Sequence, residues 1–329
     1  MAHIGVSWVR PYTRSIDNAL PEEIQRPKKI AKIGSPSPAA KSKAVVLEEV
    51  HRDSCKNDEN STIAIPANPT EQSVEYVSSL DLKPLVDPEI KIQDLLIELE
   101  SKDWVKACGA LNDVRRLALF NTPLLLPILE KVMAVIVKTM KNPRSALIKT
   151  SIMACTDVFS SLGHTLLSSE EKENPAFDSL LLQLLLKASQ DKRFVCEEAE
   201  KALEAMATSI SPLPLLNKLY SFVTHSNLRI RAKAAVAISK CTKRMGHETM
   251  KEFGLAALLK IGSQLLNDRL PEAREAARCV VNSVYGAFST ETTESAEQAT
   301  EDLWEQFCSS NLSAVAAQSV CKIVSEKRC

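Results

Sequence analysis

The stretch from Ser226 to Ile238, SNLRIRAKAAVAI, decides the fold class of this chain. It opens with a short polar turn at Asn227 and continues directly into an alanine-rich segment with a helical spacing of apolar residues. Asn is a common helix N-cap, because its side chain accepts a hydrogen bond from a backbone N–H of the first turn. The pattern predicts a helix that begins just after Asn227.

The same arrangement occurs six times, always behind an Asp or Asn anchor. The anchors are Asp103, Asn142, Asp191, Asn227, Asp268 and Asn311. Successive anchors lie 36 to 49 residues apart, an interval that brackets the period of helix-pair repeats. Another helical segment precedes each anchor, at 89–100, 122–140, 176–189, 213–223, 249–266 and 293–308. The sequence therefore predicts six antiparallel helix pairs.

A helix pair of this kind cannot bury its apolar faces alone, so the pairs are expected to stack into an all-α solenoid. Prolines support the phase of the repeat. Pro123, Pro175 and Pro212 fall where first helices should begin, a position at which the missing N–H costs nothing.

Composition agrees with packed helices and argues against several functions. Of the 329 residues, 45% are hydrophobic and only 5% aromatic, so the core must consist mainly of Leu, Ala, Val and Ile. The formal net charge is zero, which argues against a general nucleic-acid binder because phosphate neutralisation needs a positive surplus. The apolar run 124–137 is interrupted by Pro127 and Glu130-Lys131 and is too short for a membrane span.

Cysteine and histidine usage predicts neither disulfides nor a metal site. The nine cysteines form no CxxC pair, and we find no signal peptide. We interpret six of them as reduced core thiols: Cys108, Cys155, Cys196, Cys241, Cys279 and Cys321. The five histidines are scattered, and the sequence contains no phosphate loop or nucleophile elbow. We therefore expect a protein that is not an enzyme and has no cofactor.

The chain divides into two regions of different composition. Residues 1–85 mix Pro, Ser and charged residues without a helical or strand period, and we expect a disordered tail there. Residues 86–327 are expected to form the folded domain. Within the tail, Ser35-Pro36 and Ser37-Pro38 are candidate phosphorylation sites, or the segment is merely a linker. Trp8 is a candidate docking motif or has no role.

The turns within pairs and the turns between pairs should lie on opposite edges of the stack. The six within-pair turns carry nine Lys or Arg residues against four Asp or Glu residues. Two between-pair segments, 168–178 and 290–302, are acidic. A basic edge attracts an acidic partner, although basic residues at turns are also explained as a solvated rim.

Trp104 belongs to the first within-pair turn, in the stretch SKDWVKACGAL at 101–111. It either covers the open end of the first pair, as a terminal repeat requires, or anchors a partner. An exposed indole among basic side chains is typical of an interface residue. By contrast, Trp304 lies on the first helix of the last pair and is expected in the core.

These turns resemble a known family. SKDW in the first turn, KNPRS in the second and SNLRIR in the fourth are similar to a TOG domain, especially the CLASP N-terminal kind and the TOG-array regulators of axonemal microtubules. The resemblance covers residues 89–326 and implies that the within-pair turns bind tubulin. The residues it implies, with their neighbours in the basic turns, are Trp104, Lys141, Asn142, Arg144, Lys192, Arg193, Arg229, Arg231, Arg269 and Arg274.

Two turns depart from the family pattern. Cys196 stands where related domains tend to carry Arg, although Lys192 and Arg193 lie just before it, and the sixth turn carries no charge. Our hypothesis is a microtubule-associated protein of the cytoplasmic cytoskeleton, in which self-association or another microtubule-binding partner supplies avidity.

Two other functions remain open. The first is a HEAT-type adaptor that binds another acidic protein or peptide in the groove formed by the second helices. The second is RNA binding along the basic edge, which needs stacking platforms beyond Trp104 and Phe194.

Overall fold

The computed structural model describes residues 76–167, 174–291 and 297–328, and within them it contains helices and turns but no strand. The helices are α1 (Pro88–Leu99), α2 (Trp104–Phe120), α3 (Thr122–Leu125), α4 (Leu129–Met140), α5 (Ser145–Leu166), α6 (Pro175–Ala188), α7 (Arg193–Ser209), α8 (Pro212–Tyr220), α9 (Leu228–Arg244), α10 (His247–Phe253), α11 (Leu255–Leu266), α12 (Pro271–Glu291), α13 (Glu297–Asn311) and α14 (Ala314–Arg328). The six predicted helix pairs and the all-α solenoid are confirmed.

Two first helices are broken where the sequence predicted continuous ones. Pro127 lies in a 3-10 turn (Leu126–Ile128) between α3 and α4, because proline has no N–H to continue an α-helix. Gly254 separates α10 from α11 with a φ of 101°, a conformation that side-chain-bearing residues rarely adopt. Pro123, Pro175 and Pro212 lie in the first turns of α3, α6 and α8, as predicted.

The second helices form a continuous layer. Helices α2, α5, α7, α9, α12 and α14 each contact the next in this order. One apolar core runs between this layer and the first helices, from Leu95 in α1 to Val324 in α14. Each pair therefore positions its neighbours, and the within-pair turns follow one another along the stack.

The core prediction for cysteines is correct for only part of the set. Cys108, Cys155 and Cys241 are buried free thiols. Cys196, Cys279 and Cys321 are also free but only half-buried, so the apolar segments that carry them do not enclose every position. Trp304 is 3% exposed, which confirms its assignment to the core.

Residues 76–82, which we call the strap, contact the second-helix layer although the sequence assigned them to the tail. Arg115 in α2 donates to Asp157 in α5 at 2.6 Å and to the strap carbonyl of Val77 at 2.8 Å. Ser79 donates its hydroxyl to the same carboxylate at 2.6 Å. Leu82 is buried. The strap thus completes the surroundings of a buried ion pair.

Other expectations lie outside the described residues. These are the disorder of residues 1–75 with Trp8, Ser35 and Ser37, and most of the acidic charge of segments 168–178 and 290–302. Within the described part, Asp178 of the first segment pairs with Lys218 at 2.8 Å. None of the helices at 76–167, 174–291 or 297–328 combines the length and apolar character that a bilayer crossing requires.

Candidate protein-binding edge

The within-pair turns are shaped by the predicted anchors. Asp103 accepts a hydrogen bond from the N–H of Val105 at 2.9 Å, and Asn227 accepts from the N–H of Arg229 at the same distance. Asn142 and Asp268 likewise accept from the N–H groups two residues further on. Such bonds satisfy donors that the following helix leaves open. Asn142, one of the predicted binding residues, therefore also shapes its own turn.

Trp104 and Arg144 join the first two turns. The guanidinium carbon of Arg144 lies 5.1 Å from the centroid of the Trp104 ring, within the range of a cation–π interaction. Arg144 is exposed, whereas Trp104 is half-buried and packs partly against the core. Trp104 thus covers part of the first pair without being fully buried, and its predicted role as a partner anchor stays a prediction.

Lys102 and Lys141 flank this stack. Both are exposed, and neither makes an ion pair with any residue that the structure describes. The first two turns therefore carry positive charge that the described part of the chain does not neutralise. This is the part of the edge best suited to attract an acidic surface.

The third turn is less open than its sequence suggests. Arg193 pairs with Glu197 at 2.7 Å on the exposed surface of α7. The Nζ of Lys192 lies 3.5 Å from the Ser145 hydroxyl, which links this turn to the second. Cys196 donates its thiol to the carbonyl of Ala188 at 3.0 Å and supplies no charge here.

The predicted arginines of the fourth and fifth turns are held by the chain itself. Arg229 pairs with Asp191 at 2.5 Å, and Arg231 pairs with the buried Asp268 at 2.5 Å. Arg231 also donates to the carbonyl of His225. Arg274 donates to the carbonyls of Asp268 at 2.8 Å and Arg269 at 2.9 Å. The surplus of five charges counted along the sequence is therefore smaller in the folded edge.

Arg269 differs from these three arginines. Its side chain is exposed and has no ion pair within the described residues. Of the ten predicted residues, the structure thus brings Trp104 and Arg144 into contact and places Lys141 and Arg269 in the open. Most of the others have intramolecular partners.

Lys187 is a cation of this region that our sequence analysis missed. It lies in the last turn of α6, only 9% exposed, and its Nζ forms no hydrogen bond or ion pair with any described residue. Burial lowers the pKa of its ammonium group, and the nearby charge of Lys192 lowers it further. The signal was a lysine inside the apolar run LLLQLLLKA at 180–188.

The groove between the second helices has a different character. A cavity of about 180 Å³ lies between α7, α9 and α12. Inside it Lys233 pairs with Glu200 at 2.7 Å and with Glu272 at 2.6 Å. Burial acts to lower the pKa of Lys233, but its hydrogen bonds to both carboxylates raise the pKa above the usual value. Lys240 pairs with Glu204 in the same groove, so both lysines have carboxylate partners and the three carboxylates outnumber them.

No group of three or more potential metal ligands occurs among residues 76–167, 174–291 and 297–328. What the structure presents is an edge of loops with an aromatic side chain and open cations. Such a surface is suited to binding a protein.

The stacked helix pairs with their loop edge define a TOG domain of the HEAT-repeat class. Residues 123–307 match the family model described as CLASP N terminal. The match covers more than half of the 329 residues, and the chain belongs to this family. Trp104 precedes the matched region.

Named relatives are similar over part of the chain. The chain is 29% identical over 177 residues to mouse TOG array regulator of axonemal microtubules protein 1, covering 54% of this chain and 10% of that protein. It is 29% identical over 140 residues to the human protein of the same name, covering 43% and 8%. The chain thus corresponds to about a tenth of these relatives' length.

Solved structures include similar folds. The TOG domain of Zyg9 from C. elegans is 16% identical, with a TM-score of 0.47, and the alignment covers 68% of this chain and 82% of that domain.

Proposed function

We propose that this protein binds tubulin or microtubules through the turn edge of its TOG domain and thereby regulates microtubules in the cytoplasm, without catalysis or a cofactor. The supporting observation is the Trp104–Arg144 stack flanked by Lys102 and Lys141. The names of the mouse and human relatives agree with this class of partner. A half-buried indole supplies contact area, and open cations supply attraction to an acidic surface.

The test is binding of the purified full chain to tubulin dimers and to assembled microtubules in moderate salt. The variant is Trp104→Ala combined with Arg144→Ala, which removes the aromatic anchor and its cation. We expect the double variant to bind more than tenfold more weakly, because centrally placed aromatic anchors commonly contribute about 2–4 kcal/mol.

A matched control is Lys243→Ala. Lys243 is an exposed cation near the end of α9, close to a between-pair turn. We expect this variant to bind like the wild type. Equal affinity of the wild type and the folded double variant would contradict the proposal, and so would equal losses in the double variant and the control.

The groove of the second helices is a less suitable site for an acidic ligand. Lys233 and Lys240 in that groove are already paired with Glu200, Glu204 and Glu272. Binding there would require a ligand to displace these carboxylates. The adaptor function would gain support if Lys240→Ala, rather than the edge variant, abolished capture of an acidic peptide.

A further inference from the structure

The turn edge divides into two parts that differ in how their cations are held. The first part, which we call the open part, comprises the first three turns and contains these cations without a carboxylate partner among the described residues: Lys102, Lys141, Arg144, Lys187 and Lys192. Arg269, in the fifth turn, also has no described ion pair but lies outside this part. The second part, which we call the braced part, contains Arg231 and Arg274. Sequence alone gives these residues the same positive sign.

The braced part is built to hold the fold. The Arg231 side chain is 19% exposed and that of Asp268 is 2% exposed, and they lie 37 positions apart in adjacent pairs. Arg231 and Arg274 also donate to the backbone carbonyls of His225, Asp268 and Arg269. A partner's carboxylate would have to replace Asp268 and leave a buried charge unpaired, which is strongly unfavourable.

Lys187 is in the opposite situation. A lysine residue that is nine-tenths buried normally has a carboxylate partner, because desolvation of an unpaired charge is costly. Here the nearest charge identified is another cation, Lys192. In the isolated protein, Lys187 therefore lies near another cation and without a described carboxylate partner. An acidic partner would supply the missing negative charge.

We infer that the acidic partner is received by the open part alone, with Lys187 and Lys192 as its contacts at the third turn, while Arg231 and Arg274 brace the solenoid. This inference rests on the proposed function, since it assigns the acidic surface of tubulin to the first three turns. It adds Lys187 to the binding residues and gives two of the predicted ones a structural role.

The decisive variant is Lys187→Met, which keeps the apolar stem and removes the charge. We expect its melting temperature to rise by roughly 2 °C or more, because the charge of a largely buried lysine without a described carboxylate partner is gone. Its affinity for tubulin is expected to fall at least fivefold. A merely structural lysine would not produce a gain in stability together with a loss of binding.

Arg231→Met is the complementary variant. We expect a lower melting temperature, because Asp268 is left buried without its partner, and an affinity of the folded protein within about twofold of the wild type. Lys243→Met on the opposite edge serves as the control for removing an exposed charge and should change neither quantity.

Poly-glutamate is the second binding probe. If tubulin fails to bind but poly-glutamate binds and Lys187→Met weakens that binding, the proposed function and the assignment to tubulin fail, while the assignment of the open part as the site of an acidic partner stands. If tubulin binds the wild type and Lys187→Met equally, the inference fails while the proposed function stands. Binding of neither probe overturns both. A less stable Lys187→Met, or an Arg231→Met with a wild-type melting temperature and lost affinity, also overturns the inference.

Discussion

At the scale of single residues, Gly163 shows how closely the second helices approach. A Cβ atom at this position in α5 would lie 2.6 Å from the Cβ of Ser209 and 2.9 Å from its carbonyl carbon. The backbone after α7 cannot retreat as a flexible side chain would. Glycine is therefore required here by space rather than by backbone conformation.

Gly163→Ala is expected to lower the free energy of unfolding by about 1–3 kcal/mol, as overpacking usually does. Gly109→Ala is the matched control, because Gly109 is an exposed residue within α2 and its added Cβ would meet no atom within 4 Å. The free energy of unfolding of the Gly109→Ala control should rise by about 0.5–1 kcal/mol, because alanine has a higher helix propensity than glycine. Urea denaturation of both variants checks this, and a Gly163→Ala protein as stable as the control would refute the packing argument.

Cys241 gives a prediction about pH. Burial raises the pKa of its thiol to about 12, despite a smaller opposing effect of Arg244. The unfolded thiol ionises near pH 9 and the folded one does not, so the unfolded state binds fewer protons in this interval. Stability must therefore fall as pH rises from 9 toward 12.

Cys241→Ala should remove this contribution. Above pH 9 the slope of unfolding free energy against pH should become less negative, by about 1.4 kcal/mol per pH unit at most. Denaturation of wild type and variant at several pH values up to 10.5 measures the difference. Parallel slopes would show that the thiol ionises equally in both states. The other thiols are present in both proteins, so their contributions cancel in the difference between the two slopes.

At the scale of elements, the strap depends on the ion pair between Arg115 and Asp157. Their side chains are 1% and 4% exposed, and the strap provides the Val77 carbonyl and the Ser79 hydroxyl around them. A buried pair contributes little by itself compared with apolar residues, but losing one partner leaves an unpaired charge in the core.

Asp157→Ala is therefore expected to cost about 3–5 kcal/mol. Combining Arg115→Met with Asp157→Leu should recover most of that loss, because neither charge remains. Chemical denaturation of both proteins, with proteolysis of the strap as a local measurement, provides the check. A double variant as unstable as Asp157→Ala would mean that packing, rather than the unpaired guanidinium, sets the cost.

Much of the element structure was predictable because the signals are local. Asn227 and the alanine-rich segment behind it are contiguous, and the same rule located the other pairs. The breaks at Pro127 and Gly254 also had local signals, but the apolar run around Pro127 and the apolar segment after Gly254 favoured continuous helices. The strap was missed because its partners, Arg115 and Asp157, lie tens of residues away.

The turn edge, our candidate binding site, was predictable in location but not in charge. The repeat phase placed Trp104 and the basic residues at within-pair turns. Whether a cation is open depends on the neighbouring pair, and Arg231 finds Asp268 37 positions later. Lys187 was overlooked because it lies inside a helix rather than a turn. Sequence thus revealed which charges are present but not which are already neutralised.

At the scale of the whole molecule, most of the turn-edge cations that have no carboxylate partner among the described residues lie in the first three turns. Attraction between these turns and an acidic partner is screened by salt, since the Debye length shrinks from about 14 to about 7 Å between 50 and 200 mM. Apolar contact by Trp104 is much less sensitive to salt. The two contributions are therefore separable.

Raising the salt from 50 to 200 mM should weaken tubulin binding of the wild type several-fold. Lys141→Ala combined with Lys192→Ala should bind more weakly at low salt and lose much less on addition of salt. Trp104→Ala should be weaker at every salt concentration with the wild-type dependence. Equilibrium binding at four salt concentrations distinguishes these patterns. A double lysine variant that retains the full dependence would place the attraction elsewhere.

The contrasting surroundings of two tryptophans give the molecule a built-in optical reporter. Trp304 is enclosed with Tyr285, Phe288 and Phe307, so its emission should be blue-shifted and indifferent to a ligand at the turns. Trp104 is half-buried beneath a guanidinium group. An acidic peptide that contains no tryptophan should change the fluorescence intensity of Trp104 if it draws Arg144 away from the indole ring. Occupancy of the edge then becomes visible without a label, and Trp304→Phe lowers the background.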